Sequence, residues 1–155
     1  MQLNNPLGLR LPDHIDPAKL QAVINHFTID QGHLSCPLKA QDFIDCSHHT
    51  GVMPDVMVAQ AVQESRLGTI LGSRSMETRN MFNVGNVDAG ANRTMSDWHT
   101  GLYCYATLMA HSYGLTAEAV CGNDFKDHAG NSYASDPNYP QEIWALVLKI
   151  RSMLQ

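Results

Sequence analysis

The sequence predicts a mainly α-helical fold in a single domain spanning residues 1–155, and three observations support this prediction. The length of 155 residues corresponds to one domain. With 44% hydrophobic and 16% charged residues, the chain can bury a core and does not have the composition of a disordered segment. A series of apolar segments begins at typical helix-starting residues and ends near glycine, whereas strand-like alternation is scarce.

The first helices are predicted from their starting residues. Residues 1–12 lack periodicity and form an irregular lead-in. Asp16 and Pro17 then have the types preferred at the N-cap and first position of a helix, which we expect to run to about Phe27. A second helix is expected to begin at Pro37 and to continue to about His49.

The third helix is the most informative one. Its sequence is PDVMVAQAVQESRLG, with Pro54 at the start and Gly68 as the predicted stop. Residues 56–62 are almost all apolar, and a helix that is apolar on every side is usually buried. We therefore expect this helix to lie at the centre of the domain.

The second half of the chain alternates between loops and helices. Residues 69–93 are rich in Gly, Asn, Ser and Arg and predict loops and short turns, with a small hairpin at 87–90. Residues 123–138 predict another loop. The remaining segments predict a long helix capped by Ser96 and ended by Gly114, a short one from Thr116 to Gly122, and a last helix that starts at Pro140.

Charge and hydropathy exclude some functions. A net charge of −5 argues against nucleic acid, which requires a basic surface, and is more compatible with a neutral polymer such as a glycan. No stretch reaches the roughly 18 consecutive apolar residues of a membrane span. Residues 1–12 lack the charged and apolar regions of a signal peptide, so we expect phage-type release, a specialised export route, or prior removal of a signal.

The four cysteines have wide spacing and no C-x-x-C motif. They are compatible with free thiols in a reduced compartment or with structural disulfides, and a zinc site with nearby histidines matches no standard ligand spacing. No cysteine stands at a predicted helix N-terminus, where a thiolate would be stabilised, which disfavours a cysteine-dependent hydrolase. We predict neither a metal nor a cofactor. The residues concerned are Cys36, Cys46, Cys104, Cys121, His48 and His49.

Glu64 is the candidate catalytic residue. It lies in the last turn of the third predicted helix, on the same face as Gln60 and Met57 in the expected core. Burial and the negative end of the helix dipole both raise the pKa of a carboxyl group in this position. A carboxylic acid that stays protonated near neutral pH can donate a proton to a leaving oxygen. The alternative is a partly exposed glutamate paired with Arg66 or another cation.

Three segments resemble a known family when they are taken in order. They are AQAVQESRLG at residues 59–68, NMFNVGN at 80–86 and YASDPNYPQEIWALVLKI at 133–150. Together they are similar to the helix end, the Asn-Leu-Phe-Gly-Ile stretch and the Tyr-Ala-Thr-Asp-Pro-x-Tyr segment of bacterial and phage N-acetylglucosaminidases of glycoside hydrolase family 73, in the lysozyme-like superfamily.

The resemblance implies an α-rich lysozyme-like fold with a polysaccharide groove. It identifies Glu64 as the general acid and Tyr133 as the active-site tyrosine, while Asp136 and Tyr139 cap and anchor the last helix. We also expect sugar contacts from aromatic rings and amides, namely Phe82, Trp98, Tyr133, Tyr139, Asn80, Asn83 and Asn86. Trp144, Tyr103 and Tyr105 lie in apolar helices and are expected in the core, as are Cys104 and Cys121.

The chain departs from the family at the second carboxylate. Only Asp88 and Asp97 are acidic between Asn86 and the next predicted helix, and Asp97 is expected in that helix's first turn, which leaves Asp88 as the candidate. The alternative is that the 2-acetamido group of the substrate attacks its own anomeric carbon. With a single glutamate, that route resembles the lytic transglycosylases.

The resulting interpretation is an enzyme that hydrolyses the β-1,4 glycan strand of peptidoglycan, as N-acetylglucosaminidases do. A lytic transglycosylase or a muramidase acting on the same polymer is the alternative. A non-catalytic wall-binding module is a further one, since fold does not imply function. We expect action at the cell wall or in the periplasm, as a monomer or as part of a larger wall-penetrating assembly.

Overall fold

The structure is a computed structural model that describes residues 1–86 and 93–155, and it is mainly helical, as predicted. The hairpin expected at 87–90 lies outside the described residues. The helices of the described ranges are α1 (Pro17–Phe27), α2 (Ala40–Thr50), α3 (Pro54–Ser65), α4 (Arg74–Thr78), α5 (Trp98–Ser112), α6 (Ala117–Gly122) and α7 (Tyr139–Leu154), and a short 3-10 helix spans Ile29–Gln31.

Helix α3 is the central helix, as predicted. All of its residues from Pro54 to Val62 are buried, and only Gln63 and Glu64 near its end reach solvent. It packs against α7 and α2, while α1 and α5 cover α2 and α6 covers α7. The last turn of α3 is therefore the place where the buried helix reaches the surface, and Glu64 lies there.

Two predicted helix starts are wrong by one to three residues. Pro37 and Leu38 form a bend that buries Leu38, and α2 begins at Ala40, because the Asp42 carboxylate accepts a hydrogen bond from the Lys39 N–H at 2.7 Å. Helix α5 is capped by Asp97 rather than by its neighbour Ser96. The Asp97 carboxylate accepts from the Thr100 N–H at 2.7 Å, and an ionised carboxylate is a strong acceptor at this position.

Helix α4 lies in the segment expected to form only loops and short turns, where the Ser73 hydroxyl accepts from the Met76 N–H and caps it. Several other helix limits agree closely with the sequence. Asp16 and Thr116 cap α1 and α6 through their side chains, as predicted. Helix α7 begins at Tyr139, with Pro140 as its second residue. Helix α5 ends at Ser112, two residues before Gly114.

The end of α3 differs from the prediction in a way that shapes the site. The helix ends at Ser65, and Arg66, Leu67 and Gly68 all have positive φ angles. This left-handed run turns the chain sharply and buries Leu67. The hydroxyl of Ser65 donates to the Met81 carbonyl at 2.7 Å, which attaches the end of α3 to the turn that follows α4.

Gly68 is required for this arrangement. A Cβ atom on Gly68 would lie 2.7 and 2.8 Å from two atoms of the Trp98 ring, whereas one on Gly72, which also has a positive φ, would meet nothing within 4 Å. Both Gly→Ala variants carry backbone strain, so Gly72→Ala is a matched control. We expect Gly68→Ala to be less stable than Gly72→Ala by about 1–3 kcal/mol because of the added overlap, measured by equilibrium urea unfolding. Equal stabilities would contradict this role for Gly68.

The aromatic and cysteine predictions for the core hold in part. Tyr105 and Trp144 are buried, as predicted, and the Trp144 indole donates to the Asn4 carbonyl at 2.8 Å, which fixes the irregular lead-in. Cys121 is buried as well. Tyr103 and Cys104 are only half-buried, which corrects the prediction, because that face of α5 borders an open cavity.

None of the helices in the described parts of the chain combines the length and hydropathy needed to cross a bilayer.

Candidate active site

Glu64 lies on the wall of a cavity of about 480 Å³, a usual size for a ligand site. Its described lining comes from the end of α3, the start of α4, the turn after α4, helix α5 and the loop before α7. Glu64 is the one carboxylate among these lining residues, which are Glu64, Arg74, Phe82, Asn83, Val84, Gly85, Asn86, Leu108, Tyr113, Ser132, Tyr133, Ala134 and Ser135.

Both carboxylate oxygens of Glu64 are held by neighbours. The Tyr139 hydroxyl donates to Oε1 at 3.1 Å, and the Asn83 amide donates to Oε2 at 3.2 Å. Asn83 also donates to the Glu64 carbonyl at 3.2 Å, which fastens its side chain to the helix end. The Glu64 carboxyl group is thus held in place by contacts within the protein, and a catalytic group held in this way needs no ordering before it reacts.

Burial raises the pKa of Glu64 above its ordinary value, and this effect outweighs the hydrogen bonds from Asn83 and Tyr139 and the positive charge of Arg74, all of which lower it. A raised pKa for Glu64 is also what the sequence predicted. Arg74, at the start of α4, had not been assigned a role. Its only sequence signal is that it lies in the polar segment after the candidate helix.

The turn at residues 80–84 explains how Asn83 reaches the acid. Asn83 adopts a positive φ of 53°, which asparagine tolerates better than most residues. The Asn80 side chain lies inside the turn, where it accepts from the Val84 N–H at 3.1 Å and donates to the Val84 carbonyl at 2.9 Å. The Asn86 amide donates to Asn83 Oδ1 at 3.2 Å, which orients the Asn83 amide nitrogen toward Glu64.

Tyr133 lies in the loop before α7 and lines the same cavity as Glu64. Its ring stacks on Tyr139 with 5.6 Å between centroids and contacts Tyr113 edge to face at 5.3 Å. Burial and then the nearby Glu64 charge raise the pKa of the Tyr133 hydroxyl, so it stays protonated and can act as a hydrogen-bond donor.

The structure brings together several of the predicted site residues. Glu64, Asn83, Asn86 and Tyr133 line one cavity, and Phe82 borders it as well. Phe82 is only 1% exposed, and its ring stacks on Tyr105 at 3.8 Å, so it contributes to the floor and offers little surface for stacking on a sugar.

Three residues that were expected to contact sugar lie outside the described lining of the cavity at Glu64. Asn80 is fully buried, and its side chain bonds to Val84 within its own turn and donates to the Arg93 carbonyl at 3.1 Å. Tyr139 is 4% exposed, and its hydroxyl donates to Glu64 Oε1. Trp98 packs beside Gly68 and is absent from the described lining of the cavity. The side chains of Asn80 and Tyr139 are occupied by packing and hydrogen bonds that the sequence did not reveal, whereas Trp98 is half-buried.

Asp88 and Asp97 were the two candidates for the second carboxylate, and the structure describes only Asp97. Asp88 lies outside the described residues. Asp97 caps α5, where its hydrogen bonds to Thr100 lower its pKa, and it borders a larger neighbouring cavity of about 760 Å³ along α5. Val84 and Leu108 line both this cavity and the cavity at Glu64, so the two are adjacent. Among its described lining residues, Asp97 is the only carboxylate.

Three of the four cysteines are poorly suited to catalysis. All four are free thiols, and burial raises the pKa of Cys46 to about 11 and those of Cys36 and Cys121 to about 12. A thiol with such a pKa supplies little thiolate near neutral pH. Within residues 1–86 and 93–155, no three His, Cys, Asp or Glu side chains are grouped in a way that could hold a metal ion.

A rigidly held carboxylic acid with a raised pKa, beside a protonated tyrosine in an open groove, is an arrangement suited to glycosidic bond cleavage. The fold and the site together define the class of a glycoside hydrolase.

Comparisons with known proteins agree with this class. The family model described as glucosaminidase, mannosyl-glycoprotein endo-beta-N-acetylglucosaminidase, matches residues 40–152. The chain belongs to this family, glycoside hydrolase family 73, and is a glycoside hydrolase with a lysozyme-like fold.

Two solved structures from Salmonella typhimurium have a similar fold. One is a C-terminally truncated glycoside hydrolase domain of FlgJ, with a TM-score of 0.53 and 20% identity over 72% of this chain and 92% of that one. The other is the glycoside hydrolase domain of FlgJ, with a TM-score of 0.52 and 23% identity over 73% of this chain and 84% of that one. No curated protein matches the chain.

Proposed function

We propose that this chain is a peptidoglycan hydrolase of the N-acetylglucosaminidase type that cuts the β-1,4 glycan strand with Glu64 as its general acid. The single observation that carries the proposal is the Glu64 carboxyl group, half-buried and bonded at both oxygens, on the wall of the cavity. Family membership supports peptidoglycan as the polymer. We further propose that residues 1–155 act as one domain and that the site of action is the cell wall or periplasm.

In the proposed reaction, Glu64 donates its proton to the glycosidic oxygen as the bond to the anomeric carbon breaks. The leaving oxygen keeps the bonding electrons, and the oxocarbenium-like carbon accepts a new bond from water or from the substrate's own acetamido oxygen. Tyr133, still protonated, donates a hydrogen bond near the reacting sugar. Asn86 and Asn83 present amide groups to sugar hydroxyls on the same wall.

The second catalytic group decides between two products. If Asp88 acts as base, water attacks and a reducing sugar end results. If the substrate's own groups complete the reaction, an anhydro end becomes possible, as in a lytic transglycosylase. We propose the first route, because the chain belongs to a family of N-acetylglucosaminidases.

Mass spectrometry of purified peptidoglycan after digestion tests the proposal. We expect fragments that end in reducing N-acetylglucosamine. Reducing muramic acid ends would identify a muramidase, and anhydro-muramic acid ends would identify a lytic transglycosylase, and either result would overturn the N-acetylglucosaminidase assignment. The companion variant Asp88→Asn separates the routes, because it stops hydrolysis only if Asp88 is the base.

The pH dependence provides a further prediction. A general acid works only while it is protonated, so a raised pKa extends activity to higher pH than the ordinary glutamate value of about 4.3 permits. Asn83→Asp removes a donor to Glu64 and adds a negative charge beside it. Both changes raise the Glu64 pKa, so we expect the alkaline limb of the rate profile to move to higher pH. A shift to lower pH would contradict the contact between Asn83 and Glu64.

A further inference from the structure

A line of buried hydrogen bonds runs behind Glu64 and connects three helices. It starts at Tyr105 on α5, whose hydroxyl donates to Gln60 Oε1 on α3. Gln60 Nε2 donates to the Tyr139 hydroxyl at the start of α7 at 3.2 Å, and this hydroxyl donates to Glu64 Oε1 at 3.1 Å. Gln60 and Tyr105 are fully buried, and Tyr139 is 4% exposed.

The direction of these bonds is determined by the proton count. A phenol has a single proton, and the Tyr139 hydroxyl lies within hydrogen-bond distance of both Gln60 and Glu64. Because an ionised Glu64 can only accept, Tyr139 must donate to it and must receive its own hydrogen bond from the Gln60 amide. The Gln60 oxygen then faces the Tyr105 hydroxyl, so this orientation satisfies every group in the line.

The same count distinguishes the two oxygens of a protonated Glu64. If a proton on Oε1 points at Tyr139, the Tyr139 hydroxyl accepts from Glu64 and Gln60 at once, and its own proton is left without a partner in a buried site. A proton on Oε2 that points away from the Asn83 amide leaves the line intact, and Oε2 can still accept from that amide. Oε2 is the oxygen beside Asn83, which lines the cavity.

We propose that Gln60 is a positioning residue that, through Tyr139, keeps Oε1 of Glu64 as an acceptor and places the transferable proton on Oε2, on the cavity side. This proposal rests on the proposed function of Glu64 as general acid. As the proton leaves Oε2 for the glycosidic oxygen, the C–O electrons stay on that oxygen, and the new carboxylate is stabilised at Oε1 by the Tyr139 hydroxyl. Water returns the proton afterwards.

The titratable surroundings of Glu64 are consistent with this role. Arg74 on α4 is the cation whose charge acts on Glu64, and Tyr133 in the loop before α7 is the neighbouring phenol. On α7, Glu142 accepts a hydrogen bond from Gln63, the residue next to Glu64. Burial raises the pKa of Tyr105, Tyr133 and Tyr139, so all three remain donors in the working pH range.

The test compares the pH dependence of initial cleavage rates on purified, sonicated peptidoglycan at low substrate concentration. Gln60→Met removes the donor to Tyr139 at similar volume. We expect a plateau rate about fivefold lower, the size of one net hydrogen bond, and an alkaline limb at higher pH because Tyr139 becomes a weaker donor to the carboxylate. Tyr139→Phe is expected to move the alkaline limb of the rate profile to still higher pH, since it removes the donor to Glu64 itself.

Two controls separate positioning from folding. The double variant Gln60→Met with Tyr105→Phe removes both partners of the hydrogen bond between Tyr105 and Gln60, so no buried hydroxyl is left without a partner. We expect it to show the same shift of the alkaline limb as Gln60→Met and to be more stable than that variant. Val58→Ala, a fully buried change on the same helix, is expected to lower stability and leave the pH profile unchanged.

An unchanged limb in both Gln60 variants, with only stability altered, would overturn the proposal. That result leaves the proposed function standing if Glu64→Gln is inactive. Retained activity in Glu64→Gln would overturn the proposed function itself, and the two failures are therefore distinguishable.

Discussion

Glu64→Gln is expected to lower the rate of peptidoglycan cleavage by about 10²–10⁴-fold, the usual contribution of general acid catalysis. The amide has nearly the same shape as the protonated acid, but it cannot transfer a proton. Its carbonyl oxygen can still accept from Tyr139, so we expect the fold to be kept. Clearing on a gel containing purified cell wall, together with release of reducing ends, measures the effect.

The matched control is Glu77→Gln, which changes an exposed glutamate on α4 that does not line the described part of the cavity. We expect it to clear cell wall at the rate of the unchanged protein. Thermal unfolding of both variants then shows whether a loss of activity reflects chemistry or folding. Equal clearing by Glu64→Gln and Glu77→Gln would exclude Glu64 as the acid.

Arg151→Met is expected to destabilise the protein by about 3–5 kcal/mol, the usual cost of leaving one partner of a buried ion pair alone. Arg151 on α7 is 4% exposed, and its Nε donates at 2.7 Å to Asp55 on α3, which is fully buried. Another guanidinium nitrogen donates to the Leu9 carbonyl at 3.2 Å and to Glu118 on α6. Arg151 therefore joins α7 to α3, to α6 and to the irregular lead-in, and its loss leaves the Asp55 charge uncompensated.

Equilibrium urea unfolding at several pH values tests this prediction. Burial raises the Asp55 pKa even beside Arg151, and removal of the arginine raises it further. A folded-state pKa above the unfolded value means that the folded protein binds the extra proton, so the variant's stability falls as pH rises. We therefore expect a smaller deficit near pH 4 than at pH 7.

Two further variants isolate the buried pair. Glu118→Gln changes the partner whose side chain is 51% exposed, and we expect a loss of at most about 1 kcal/mol. Arg151→Met with Asp55→Leu replaces both buried charges, and we expect it to recover most of the stability lost in the single variant. If Arg151→Met were as stable as Glu118→Gln, the role of Arg151 and Asp55 as a stabilising buried ion pair would be contradicted.

The sequence predicted the local features correctly where the signal is local. The caps at Asp16 and Thr116 and the central position of α3 follow from residue types and spacing alone. Pro37 and Ser96 failed as helix starts because a neighbour made the better cap: Asp42 reaches back to Lys39, and the Asp97 carboxylate accepts from Thr100. Competition between adjacent capping groups depends on side-chain geometry, which the order of residues does not contain.

The candidate site shows the same division. The position of Glu64 at the end of an apolar helix indicated a raised pKa, and burial in the structure raises it. Gln60 carried a usable signal, a polar residue one turn before the acid in an apolar helix, but its partners Tyr105 and Tyr139 are far away in sequence. Asn80 and Tyr139 were expected to contact sugar, because polar and aromatic types alone do not show which side chains are buried.

By itself, the sequence determined the helical class of the fold, the buried helix that carries Glu64, and the family of glycosidases to which the chain belongs, since these depend on periodicity, capping residues and short motifs. Only the tertiary structure decided which groups surround the acid. Asn83 and Tyr139 donate hydrogen bonds to Glu64, and Arg74 acts on it through its charge, from positions 10 to 75 residues away along the chain. Such contacts depend on how helices pack, and packing is a property of the whole core rather than of any one segment.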